Sequence, residues 1–319
     1  MRLMRRNLTS LTRPLLLTAL LLTGSAAATI PVQAQDNSEL AAQLPAVALP
    51  TMNSQGFVFQ IESTYDGTPG GPPTTAPVYA MKQQTTDADQ AKTIAGKLGV
   101  EGDISDDGNG SYSFSGNGTL FVAAGLVQYA APGDSPEGGL ASDPELIAAA
   151  REWLRSKELL PANIGDGAVQ SKVASPAQAI ITFQPVTPTP LLTSTPNVTV
   201  TVGASGTILE VSWRWADLTQ ADTYQLRPLD QALADVTSQR AFVQASLPAE
   251  TYPDGSSIKG KAVYSSISLA YASSGIPGEQ QYLQPVYVFT GKLTPDGSAT
   301  SFSIVSYVPA LANSNQPVG

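Results

Sequence analysis

Between Asn197 and Trp215 apolar and polar residues alternate along the chain. Val198, Val200 and Val202 are interleaved with Thr199 and Thr201. Gly203-Ala204-Ser205-Gly206 supplies a turn, and Leu209, Val211, Trp213 and Trp215 are interleaved with Glu210, Ser212 and Arg214. A period of two gathers the apolar side chains on one side, so 197–216 reads as a β-hairpin with one apolar face. Beyond it, Pro228 suits the first turn of a helix, where its missing N–H costs nothing, and Leu229, Leu233 and Val236 recur at helical spacing. The order predicts a helix laid across the tryptophan face of the hairpin.

Two more helices carry start and stop signals. Thr86 with Asp89 makes a capping box ahead of the stripe Ala88, Ala91, Ile94, Ala95 and Leu98, which Gly99 ends. Ser142 with Glu145, and Pro144 in the first turn, open a helix with Leu146, Ile147, Ala150, Trp153 and Leu154 on one face, and Pro161 closes it. Strands are expected at Phe57 to Ile61, at Tyr112 to Phe114 and Leu120 to Tyr129 around the turn Gly116-Asn117-Gly118, and at Ala179 to Phe183. Further strands follow at Val263 to Tyr271, Tyr282 to Phe289 and Phe302 to Val308. Pro285 cannot donate to a ladder and marks an edge or a bulge. The run 66–73 is a Pro/Gly loop, and Gln184 to Pro196 is either a long crossing loop or a boundary between modules.

Each helix is thus followed by two to four strands. The expected class is α+β, with tandem modules in which a helix packs on one face of its own antiparallel sheet meander. The corresponding divisions are a first helix-plus-sheet unit at 56–141 and a main α+β region at 142–311 organised by the hairpin. A flexible leader at 35–55 and a frayed tail at 312–319 flank them.

The amino-terminus adds an address. Arg2, Arg5, Arg6 and Arg13 precede and flank the apolar run Leu15 to Leu22, and small residues follow from Gly24 to Ala28. This is the pattern of a secretory signal peptide at 1–34 with cleavage near Ala34, since the apolar run is too short to span a bilayer. The expectation is a secreted, periplasmic or otherwise extracytoplasmic protein without direct membrane insertion. The whole chain has 17 basic and 26 acidic residues and a net charge of −9. Loss of 1–34 removes four arginines and no acid, which takes the charge to −13. Such a surface repels nucleic acid and anionic lipid, and either keeps the protein soluble or meets a basic partner.

The 319 residues include no histidine and no cysteine. That excludes Ser-His-Asp and Cys-His nucleophile systems, imidazole or thiolate metal sites, and disulfides. Ser256-Ser257-Ile258-Lys259 has the spacing of serine-lysine acyl enzymes but lies between Pro253-Asp254-Gly255 and Gly260, where a polar loop is expected, and companion motifs are missing. Asp103-Ile104-Ser105-Asp106-Asp107-Gly108 resembles the opening of a calcium loop, but Phe114 stands where the bidentate glutamate is required, which favours a solvated hairpin turn. The glycines of Gly108 to Gly118 suit turns rather than a phosphate cradle. Trp213 and Trp215 suit either stacking on a ligand or filling a core under a helix, and Asp143, Glu145, Glu152 and Glu158 suit helix caps and a solvated face. No residue is assigned a catalytic, cofactor-binding or metal-binding role.

At Asn197 to Val236, together with Tyr282-Leu283-Gln284-Pro285-Val286-Tyr287-Val288-Phe289-Thr290-Gly291, the order of hairpin, proline-led helix, strands and aromatic strand resembles the PepSY-like modules of bacterial exported proteins. Proteins of the YycH/YycI type have a similar layout, and the resemblance spans Ser142 to Pro309 and extends more weakly to the earlier helix unit. It implies a non-enzymatic protein of the kind that modulates membrane sensor kinases or inhibits proteases, with another envelope protein or peptide as partner and no cofactor. Two alternatives remain. One is a secreted hydrolase with paired carboxylates, the other a passive envelope scaffold that pairs through a sheet edge near Pro285.

Overall fold

A computed structural model describes residues 44–47, 49, 56–67, 73–133, 136–274 and 281–312. The chain divides into Met1–Ala34, which contains no described residue, and Gln35–Gly319, which holds all of them. The expected signal peptide therefore lies outside the described residues, as do 35–43, 50–55 and 313–319. No described helix is long and apolar enough to cross a membrane.

Strands β1 (Val58–Tyr65) and β2 (Thr75–Gln83) come first, and helix α1 (Ala88–Leu98) follows. Then come β3 (Gly102–Asp106), β4 (Tyr112–Gly116), β5 (Gly118–Ala123) and β6 (Leu126–Ala130). Helix α2 (Asp143–Ser156) leads to β7 (Ala168–Ala174), β8 (Ala177–Phe183), β9 (Asn197–Gly203) and β10 (Ile208–Arg214). The last segment holds β11 (Ala216–Gln225), helix α3 (Leu229–Thr237), β12 (Phe242–Ala245), β13 (Ser257–Ser274), β14 (Gln281–Pro295) and β15 (Phe302–Pro309).

These strands form two sheets, and they are not sequential. An eight-stranded antiparallel sheet runs β3-β4-β5-β6-β10-β9-β8-β7. A seven-stranded sheet runs β1-β13-β14-β15-β12, with β2 joining β14 and β11 pairing with β2. The whole eight-stranded sheet is an insertion between β2 and β11.

This arrangement corrects the expected fold class. The described residues are mostly strand, in two large sheets, and do not form tandem helix-on-sheet modules. Helices α1 and α2 share one face of the eight-stranded sheet, while α3 packs on β1 and β15 of the other. The helix that follows the hairpin β9–β10 therefore does not lie on its tryptophans. Two-residue alternation specifies which side of a strand is buried but not which sheet the strand joins.

The register explains the core of the insertion. Phe114, Leu120, Tyr129, Val211, Val200 and Ile181 stand opposite one another in an unbroken row across six strands. Above this row Leu146, Ala150 and Leu154 of α2 are fully buried, and Ala91, Ala95 and Leu98 of α1 complete the cover. Alanines one turn apart let the α1 backbone approach the sheet closely.

Several local expectations shift. The N-cap of α1 is Asp87 rather than Thr86: Asp87 Oδ1 accepts from Gln90 N at 2.8 Å and Gln90 returns the bond at 3.0 Å, while the Thr86 hydroxyl donates to Ala123 O. At α2 the expected partners meet, with Glu145 Oε2 accepting from both the N–H and the hydroxyl of Ser142. The run Leu120 to Tyr129 is two strands, broken at Gly125, whose φ of 63° a turn requires. Strand β14 is interior rather than an edge. Pro285 sits where one flank of β14 changes partner, between Leu283 paired with β2 and Val286 paired with β15, so its absent N–H breaks no ladder bond.

In the seven-stranded sheet, Ala232 and Val236 of α3 cover Ile61, Tyr264, Tyr287 and Phe289 on one face. On the other face Val47 and Leu49 are buried against Ala270, Val286 and Val288, and the fully buried Gln284 donates to Pro45 O at 2.7 Å. Leu44, Val47 and Leu49 of the expected leader are therefore packed on the sheet, while Ala46 is exposed. The stretch 184–196 is a crossing loop: it joins β8 to β9 and docks on β13, where Leu192 N donates to Tyr271 O at 2.7 Å and Tyr271 N to Pro190 O at 2.9 Å.

Candidate functional site

The chemistry-like motifs of the sequence resolve into structural roles. Ser256 precedes β13 and its hydroxyl donates to Pro253 O, while Lys259 lies within β13 and is exposed. In extended chain a three-residue separation is about 10 Å and points side chains to opposite faces, so the helical serine-lysine geometry is not formed. Asp103 to Asp106 belong to β3. Asp106 Oδ1 accepts from Gly108 N, and Asp107 Oδ1 accepts from Asn109 N and Ser111 N, so both carboxylates close the β3–β4 turn. Asn117 holds the next turn to the end of α1 by accepting from Glu101 N and donating to Gly99 O.

Trp215 is buried, and Trp213 is half-buried with its indole N–H donating to Leu159 O at 2.9 Å. Both pack with the core under α1 and α2. They line a 440 Å³ cleft between the end of α2 and the start of β11, with Lys97 and Glu158 paired at 2.8 Å on its rim.

Three carboxylates are held below their usual range, each by structural bonds. Backbone N–H groups of Asn109 and Ser111 do so for Asp107, the Ser142 hydroxyl and then its N–H for Glu145, and the Lys97 ammonium for Glu158. Among the described residues no cluster of three or more acidic side chains is arranged to hold a metal ion.

The open face of the eight-stranded sheet, opposite the helices, holds a second and larger concavity of 630 Å³. One cross-strand row on this face reads Asp103, Ser115, Thr119, Ala130 and Glu210, and continues through Thr201 to Ile180. The adjoining row reads Ser113, Phe121, Gln128, Ser212 and Thr199. The first row mixes the hydroxyls of Ser115, Thr119 and Thr201 with two carboxylates, and hydroxyl and amide groups dominate the second, with the Phe121 ring half-buried among them and Ile180 37% exposed. Neither Asp103 nor Glu210 takes part in an ion pair or a side-chain hydrogen bond among the described residues. The sequence contains the signal for this face, since Thr199, Thr201, Glu210 and Ser212 are the polar half of the hairpin alternation. What it lacks is the set of strands that extends the rows on either side.

No protein-family model matches the chain, and no curated protein matches it in sequence. Among solved structures, an uncharacterised protein from Eubacterium rectale ATCC 33656 is similar with a TM-score of 0.44 at 11% identity, over 81% of this chain and 90% of that one. The Bacillus megaterium YpeB C-terminal domain is similar with a TM-score of 0.36 at 10% identity, over 72% of this chain and 95% of that one. Likeness at this level assigns neither a fold family nor a role.

Proposed function

We propose that this is an exported, non-enzymatic binding protein of the bacterial cell envelope that takes a protein or envelope-component partner on the open face of its eight-stranded sheet. The observation that carries the reading is the 630 Å³ concavity, in which Phe121 and Ile180 lie exposed or half-exposed among rows of hydroxyl groups. Apolar anchors in a polar surround are what recognition surfaces use. On this face the two carboxylates of the longer row lie four strands apart, which is about 19 Å at the usual strand spacing. That is roughly twice the widest separation at which a pair of carboxylates hydrolyses a glycosidic bond. The signal-peptide pattern and the pattern-level resemblance to PepSY-like exported proteins point the same way.

The test is capture of partners from a solubilised envelope fraction of the host by the mature chain, in parallel with a Thr201→Arg variant that places a large side chain in the concavity. A partner retained by the native chain and lost from the variant supports the reading. A partner retained equally by both, or turnover of a peptide, glycan or ester substrate by the purified chain, refutes it.

A further inference from the structure

We propose that the open face binds an extended basic polypeptide segment whose cationic side chains are six residues apart. This rests on the reading of that face as the binding surface, and adds the chemistry of the partner. Asp103 on β3 and Glu210 on β10 occupy one row, joined by Ser115, Thr119 and Ala130. Ile104 packs toward the helices, so its neighbour Asp103 faces the open side, and the alternation of β10 sends Glu210 the same way. Both carboxylates are exposed.

The spacing selects the segment. Four strand intervals are about 19 Å, and an extended chain rises about 3.3 Å per residue, so six residues bridge the two carboxylates. Six is even, and side chains at i and i+6 of an extended chain leave from the same side. A spacing of five covers nearly the same length but sends the second cation away from the sheet. Between the carboxylates, the hydroxyls of Ser115 and Thr119 offer hydrogen bonds to the segment and Phe121 offers an apolar contact. Arg214 lies on the same face two positions beyond Ser212, roughly 14 Å from Glu210 along the strand. That exceeds the screening length at physiological salt, so it does not cancel the attraction. The net charge of −9 adds long-range steering of a basic partner.

The probe is a dye-labelled nonapeptide of serine, threonine and glycine with lysines at its positions 2 and 8. It is compared by fluorescence anisotropy at physiological ionic strength with a peptide carrying lysines at positions 2 and 7 and with a lysine-free peptide. The mature chain should bind the 2,8 peptide about three- to fivefold more tightly than the 2,7 peptide, and the lysine-free peptide more weakly still. Glu210→Gln and Asp103→Asn, both isosteric and exposed, should each abolish that preference while circular dichroism stays unchanged. Equal affinity for the 2,7 and 2,8 peptides, no binding of either, or an unaltered preference in Glu210→Gln overturns the proposal. If the peptides fail but Thr201→Arg still releases a captured partner, the spacing rule falls and the open face stands as the binding surface. If Thr201→Arg releases nothing, the face itself is refuted.

Discussion

The backbone N–H of Trp215 donates to the carbonyl of Gly125 at 3.0 Å, and the N–H of Gly125 donates to Gln84 O at 2.9 Å. The β5–β6 turn is thereby fastened to both places where the chain passes between sheets, after β2 and before β11. A side chain is not tolerated there. Gly125 has φ +63°, and a Cβ on it would lie 2.9 Å from Trp215 O and 3.3 Å from Gln83 Cγ. Gly125→Ala should cost roughly 1–3 kcal/mol, read as a lower urea midpoint. Gly133→Ala, with φ +82° and no neighbour within 4 Å, carries the left-handed strain without the crowding and should cost less.

Leu191 tests the role of the crossing loop. It is 8% exposed and lies in a cluster with Met81, Ala216, Tyr271 and Leu283, all from the seven-stranded sheet, although its own loop joins two strands of the other. Leu191→Ala should lower stability by about 2–3 kcal/mol and make residues 184–196 the first site of limited proteolysis. Unchanged cleavage and an unchanged urea midpoint would show that the loop is only resting on the sheet.

Tyr271 gives the fold an alkaline limit. Burial, with the phenol of Tyr79 adding to it, pushes its pKa up to about 12, and the two rings meet edge-on with centroids 5.8 Å apart. The folded state thus holds this proton to a higher pH than the unfolded chain, whose tyrosines titrate near 10. The associated stability is present in full below pH 10 and is lost as pH rises toward 12. Tyr129, Tyr224, Tyr264, Tyr287 and Tyr307 are shifted upward by burial as well. Stability measured from pH 9 to 11.5 should therefore fall steeply, and Tyr271→Phe should flatten the slope. An identical slope in the variant would contradict the shift.

The contrast between what was legible in the sequence and what was not has a physical basis. Helix starts are local chemistry, so Ser142 with Glu145 announces α2, and only at α1 does Asp87 displace its neighbour Thr86. Strand faces are local too, and Val198, Val200, Val211 and Trp215 are buried on the side their alternation implies. Sheet membership is not local. Gln83 pairs with Ala216 and Tyr65 with Tyr264, contacts that close loops of well over a hundred residues, and nothing in either strand encodes its partner. Strand β11 has too few apolar positions to read as a strand, because one flank pairs with β2 and most of its residues are exposed. The open-face rows are missed for the same reason. Asp103 and Glu210 become neighbours on a surface only once β4, β5 and β6 lie between them.

Asp235 offers the sharpest test of the packing around α3. It is 8% exposed, and its Oδ2 lies 2.8 Å from Arg227 Nη2 while Oδ1 accepts from Arg240 Nη2 at 2.7 Å and from Arg240 Nε at 3.0 Å. One carboxylate thus ties the entry to the helix to the residues just past its end, and two guanidiniums depend on it. Asp235→Asn preserves the volume and removes the charge, leaving Arg227, with 23% of its side chain exposed, facing an amide. The expected loss is roughly 2 kcal/mol, and 1 M salt should leave most of it, because the pair is shielded from solvent. The Glu62–Lys261 pair is the control. It spans 3.9 Å with 80% and 75% of the side chains exposed, and Glu62→Gln should change the urea midpoint little. Equal effects of the two substitutions would mean that burial does not set the strength of the Asp235 clamp.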